Sequence, residues 1–331
     1  MEMGAYEAVR DYYYHGHNSR NGYYYHSLHS MSTIDHSSIS LLYDTYVNYF
    51  GGDNDYVETL IINAIERSGP FEDATEDQRA AIVTHTIKQM LMYMFPLTQL
   101  NNAVEKCKNE QSDAANSWDR GAGSLIGSIE GNHEGGNHQG QLYYSLIKSS
   151  CEIFGTCNMT NHDLVDLLQE GQERVEAGEC EVVQNVTEKI RVLLDITNIQ
   201  RTLHYAAKLE DVPFSNYLAG AFISASTVIP MIKHSDHASG LVIEDDFKFK
   251  RTLNLGEMDT NEVFEAFESA LKNMKDIDCA DIGAIEKYGD VCPEAPIMPG
   301  EDVAENTYVN PSETISLSSG LYVTTSNVDE L

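Results

Sequence analysis

The chain has 331 residues, enough to bury a full core in one large domain or two smaller ones. Its 52 acidic residues against 21 basic ones leave a formal charge of −31. Such a surface repels nucleic-acid phosphates and anionic lipid and draws cations, so nucleic acid and anionic membrane surfaces are excluded as partners.

Residues 1–48 are rich in tyrosine and histidine, as in Tyr12-Tyr13-Tyr14-His15-Gly16-His17 and Tyr23-Tyr24-Tyr25-His26. This composition predicts an irregular arm that lays aromatic rings on a helical body; phenol and imidazole donors also suit metal ligation. Two stretches of apolar residues at helical spacing then follow one another. Tyr49-Phe50-Gly51-Gly52 and YVETLIINAIERSG match Ile153-Phe154-Gly155-Thr156 and DLVDLLQEGQERVEAG. TIKQMLMYMFPLTQLNNAVEKC matches KIRVLLDITNIQRTLHYAAKLE, and SWDRGAGSLIGS matches NYLAGAFISAST. Pro96 is expected to kink or break the first copy.

The pattern predicts an all-α fold, a tandem duplication of a helical unit forming one bilobal domain with irregular N- and C-terminal segments. Its expected parts are a Tyr/His-rich segment at 1–48, repeats at 49–152 and 153–253, a closing helix of a partial third repeat at 254–278, and a disulfide loop with tail at 279–331. Ser117 or Asn116 is expected to cap a helix from Trp118 whose small residues, Gly121, Ser124, Gly127 and Ser128, give it a narrow packing face.

The six cysteines, Cys107, Cys151, Cys157, Cys180, Cys279 and Cys292, form no CxxC pair. With glycosylation sequons at Asn158 and Asn185 they predict an extracellular setting and up to three disulfides, Cys279 with Cys292 closing a local loop. No apolar run reaches the ~18 residues that span a bilayer. The opening residues lack the basic flank and apolar core of a secretory signal, so a secretory signal or membrane anchor is expected only outside these residues.

G-x-S-x-G, HExxH, P-loop and EF-hand patterns are absent, and no catalytic residues are expected. What remains suits a hard cation. Asp119 and Arg120, at the start of the small-residue helix, have the types for a ligand and an anion anchor, with Glu130 in the same stretch. Arg201, His204 and Tyr205 share one helical face, and Tyr217 opens the matching helix of the second copy. His133, Glu134 and His138, and His234 with Asp236-His237, are weaker candidates.

The segment WDRGAGSLIGSIEG, followed by GQLYYSLIKSSCEIFGTC inside the repeated unit, resembles the algal iron-assimilation proteins that include the phytotransferrins. The resemblance spans roughly Leu42 to Lys275. It implies ferric iron held with carbonate at the cell surface, taken in by endocytosis and released in an acidified vesicle, with a receptor or reductase as partner. The family often carries histidine and glutamate where this chain has Thr98-Gln99-Leu100-Asn101, which moves the expected site toward Asp119 and His204. The expected ligands are Asp119, Glu130, His204, Tyr205 and Tyr217, with Arg120 and Arg201 for the anion. The alternative is an acidic glycosylated surface protein acting through protein partners.

Overall fold

The computed structural model describes residues 3–17, 20–21, 24–25, 27–127, 129–131, 134–135, 142–211, 215–249, 259–286 and 288–292. The fold is all-α, as the periodicity predicts. Its helices are α1 (Met3–His15), α2 (Leu28–Ser32), α3 (Ser40–Tyr49), α4 (Tyr56–Glu66), α5 (Glu76–His85), α6 (Met92–Lys108), α7 (Ala114–Ile126), α8 (Tyr143–Phe154), α9 (Cys157–Ala177), α10 (Cys180–Asp211), α11 (Ser215–Ser235), α12 (His237–Asp246), α13 (Thr260–Asn273) and α14 (Cys279–Ile282). The strands among the described residues form three antiparallel pairs of two or three residues, at Arg20–Asn21 with Tyr24–Tyr25, Ile129–Gly131 with Glu134–Gly135, and Ala284–Ile285 with Gly289–Asp290.

The N-terminal segment is not the irregular arm its composition suggests. Tyr6 and Tyr13, seven residues apart, fall on one side of α1 and are both buried. The Arg79 guanidinium stacks on the Tyr6 ring at 3.9 Å, and the Tyr13 hydroxyl meets Ser32 Oγ at 2.9 Å. Burial of two rings on one face is what makes this stretch a helix. Tyr23, His26 and the tail from residue 293 lie outside the described residues.

The helix with Trp118 also starts earlier than expected, at Ala114; Ser117 is inside it, its hydroxyl accepting from Lys106 Nζ at 2.9 Å. Pro96 does not break α6. Pro96 sits within the first turns of α6, and a wide π-turn over Thr86–Leu91 ends just before that helix begins.

The small-residue face does pack tightly. A Cβ on Gly121 would come within 2.8 Å of Leu100, so α7 lies directly on α6. Trp118 is fully buried, its indole donating to the Leu168 carbonyl at 3.0 Å, and its ring occupies the space where a Cβ on Gly171 would sit. The absence of a side chain at Gly171 is therefore what lets α7 rest on α9.

Helix α10 packs on α6, α8, α9, α11 and α13. The disulfide Cys107–Cys180 ties its start to the end of α6 across 73 residues, a loop whose closure is worth about 4 kcal/mol. Cys151–Cys157 and Cys279–Cys292 are the other pairs, the last as expected. The three disulfides are compatible with an extracellular protein. Among the described residues no helix is long and apolar enough to cross a membrane.

Buried apolar residues from Tyr6 to Val291 form one continuous cluster. The fold does not establish the duplication: α4, α6 and α7 answer to α9, α10 and α11 in order, but α5 and the π-turn intervene in the first set alone.

Candidate functional site

Helix α10 carries two polar clusters. Near its middle, Asp195 is fully buried and has both oxygens engaged: the Tyr93 hydroxyl donates to one at 2.6 Å and Arg191 Nη1 to the other at 2.6 Å. Arg191 also donates to Glu188 at 2.9 Å and to Asp276 at 3.1 Å. Burial pushes the Asp195 carboxyl up to about 6, outweighing the pull of Arg191. This cluster is closed upon itself.

The second cluster lies further along the same helix, where the i, i+3, i+4 spacing puts Arg201, His204 and Tyr205 on one face. Arg201 Nη2 donates to the Tyr205 hydroxyl oxygen at 3.3 Å, and His85 Nε2 meets that oxygen at 3.3 Å. Ser224 donates to Gln89 Oε1 at 2.6 Å, which leaves the Gln89 amide nitrogen to donate to His85 Nδ1 at 3.1 Å. The network thereby assigns the proton of neutral His85 to Nε2, so His85 donates to Tyr205. A phenol oxygen that accepts two hydrogen bonds, one from a guanidinium, is prepared to lose its proton to a metal ion. In the absence of metal, burial raises the Tyr205 hydroxyl and Arg201 pulls it partly back.

Tyr217, 40% exposed, stands 6.5 Å from the Tyr205 ring, centroid to centroid. Gly220 allows the approach of α11, since a Cβ there would lie 2.8 Å from the Tyr205 hydroxyl. Arg201 Nε and His204 Nδ1 are buried and have no hydrogen-bond partner among the protein groups. Burial and the Arg201 charge push both His85 and His204 down to about 4. Both rings are therefore neutral at physiological pH. Lys88 is lowered by burial and by Arg201.

Of the residues expected from sequence, the fold brings together Arg201, His204, Tyr205 and Tyr217. Asp119 and Arg120 sit elsewhere, on the exposed side of α7. Partial burial and the Glu176 charge raise the Asp119 carboxyl, and Arg120 acts on Asp113. Among the described residues no hydrogen bond or ion pair links them to the Arg201 cluster. Glu130 falls in the short strand Ile129–Gly131, and its side chain lies outside the described residues, as do His133 and His138. Asn185 is exposed on α10; Asn158 falls in α9, its side chain outside the described residues. Asp236 caps α12 through Ser239 and also bonds Ser269.

His85, Lys88 and Gln89 were not among the residues expected. They come from the end of α5 and the π-turn, and no motif marks them; only tertiary packing brings them to α10.

A cleft of about 760 Å³ lies between α9, α10 and the residues leading into α14, lined by Asp163, Asp166, Glu170, Glu188, Asp276 and Asp281 together with Arg191. It belongs with the closed cluster, roughly 15 Å along α10 from Arg201, and Arg191 already neutralises part of its charge. Among the described residues no group of three carboxylate, imidazole or thiolate side chains is arranged to hold a metal ion. The donors at Arg201 are of another kind, phenols with one free imidazole. No protein-family model, curated protein or solved structure matches the chain.

Proposed function

We propose that the chain binds ferric iron as cargo at Tyr205, Tyr217 and His204, with carbonate held by Arg201 as the synergistic anion. The observation that carries this reading is the meeting of two phenols and a neutral imidazole beside a guanidinium whose Nε is unpartnered. Ferric iron prefers phenolate oxygen and tolerates imidazole, and an anion completes a coordination shell that three protein donors leave open. In this reading His85 orients Tyr205 and is not a ligand, while Asp119, Arg120 and Glu130 are not needed. Iron is delivered and released at the cell surface and in acidified vesicles, because ligands that must be unprotonated lose metal as pH falls.

The test is titration of ferric citrate into metal-free protein at about pH 8, with and without bicarbonate, followed by visible absorption. A saturable tyrosinate-to-iron band that requires bicarbonate is expected. Saturation without a band, or a band indifferent to bicarbonate, overturns the mechanism. Many weak sites in place of one tight site would point to the acidic surface protein that acts through partners.

A further inference from the structure

We infer that the Arg201 cluster takes free hydrogenphosphate when no metal is present. The inference borrows its location from the ferric reading but does not require iron.

Lys88 lies on the π-turn between His85 and Gln89, both members of the network that reaches Tyr205 and Arg201, and Lys208 is one turn beyond His204 on α10. No carboxylate among the described residues pairs with any of the three, in a chain whose acids outnumber its bases 52 to 21. Two neighbouring positive charges without a counter-ion repel, and a dianion relieves them both. The donors are in place for it. Arg201 Nε is buried with no partner. The Tyr205 oxygen receives its two hydrogen bonds from Arg201 and His85, so its own proton is free to be given. Both bonds are long at 3.3 Å and easily exchanged for stronger ones to an anion.

Discrimination among dianions follows from His204. Its Nδ1 is buried without a partner, and an unprotonated imidazole has one acceptor nitrogen. Hydrogenphosphate carries a proton to give to that acceptor. Sulfate, with the same shape and charge, has none and leaves it unpaired, the kind of defect on which polar sites discriminate most strongly.

The experiment is equilibrium dialysis of radiolabelled inorganic phosphate against metal-free full-length protein at neutral pH, with sulfate as competitor. One saturable site is expected, with sulfate a poor competitor. Arg201→Ala and Lys88→Gln should each weaken phosphate roughly tenfold or more. Lys88 is half-buried and has no hydrogen-bond partner among the described residues, so its replacement keeps the test open if Arg201→Ala misfolds. Tyr217→Phe should leave phosphate binding unchanged while it reduces the ferric band. No saturable phosphate site, or binding that both cation variants retain, overturns the inference even if the ferric band appears. Equal competition by sulfate overturns the role given to His204. Phosphate binding that Lys88→Gln weakens, in a protein with no ferric band, upholds the inference and sinks the ferric reading alone.

Discussion

Arg191 and Arg201 lie on one helix, each close to a tyrosine, yet their surroundings differ in every respect that matters for function. Arg191 spends its donors on Glu188, Asp195 and Asp276, and Asp195 in turn holds Tyr93. Each of its three nitrogens is thus bound to a carboxylate. Arg201 touches only a phenol and leaves its Nε unpartnered. The lesson is that residue type on a buried helix face does not distinguish a strut from a site; the count of unsatisfied groups does. The acidic cleft lined by Arg191 accompanies the strut.

The sharpest way to break this contrast is to delete one member of each cluster. Asp195→Ala leaves Arg191 and Tyr93 without their buried partner and should cost about 3–5 kcal/mol in urea unfolding. Arg201→Ala should change stability by no more than about 1 kcal/mol, because no ion pair is lost. Equal losses at the two positions would erase the distinction. Next in size is Gly220→Ala, whose Cβ would lie 2.8 Å from the Tyr205 hydroxyl. Overpacking of this kind costs roughly 1–3 kcal/mol, and displacement of Tyr205 should weaken the ferric band as well. A normal band in this variant would show that Tyr205 is not a ligand.

Acid separates the clusters by sign. In the folded chain His85 and His204 resist protonation until about pH 4, against 6.5 for the free side chain. As pH falls from 6.5 toward 4 the unfolded chain binds protons that the folded chain refuses, so stability is lost across that window. Asp195 works the other way. Its carboxyl titrates near 6 when folded and near 3.8 when free, so it adds stability as pH falls through the same window. A double His85→Asn, His204→Asn variant should lose roughly 1–2 kcal/mol less than the parent between pH 7 and 4.5, a figure set well below the ideal linkage value because both rings are partly exposed. Parallel pH profiles for the two proteins would contradict the neutral-imidazole assignment.

The helical class was legible because the apolar spacing is regular over most of the chain, and the Arg201, His204, Tyr205 face followed from that spacing alone. The partners of that face were not. His85, Lys88 and Gln89 sit more than 100 residues earlier in sequence, at the end of α5 and on a π-turn that no local pattern announces. Asp119 and Arg120 looked equivalent to the Arg201 set by residue type, but Trp118 packs inward onto Gly171 and turns the residues after it to the exposed side of α7. The N-terminal tyrosines read as an irregular arm for a similar reason: the surface that orders them, Arg79 and Ser32, belongs to other elements.

The smallest expected effect on stability carries the most information about the site. Tyr217 is 40% exposed, and its hydroxyl has no hydrogen bond among the described residues, so Tyr217→Phe should shift stability by less than about 0.5 kcal/mol. Tyr205→Phe differs, since the lost oxygen accepts from Arg201 and His85 and leaves both donors unsatisfied. If both phenols ligate ferric iron, each single variant keeps a visible band of reduced intensity and shifted maximum, and the double variant loses it. A band that disappears with Tyr205→Phe but is untouched by Tyr217→Phe would assign a single phenolate to the metal. The open position would then belong to the anion, and the site would hold iron less tightly as bicarbonate is withdrawn than a two-phenolate site does.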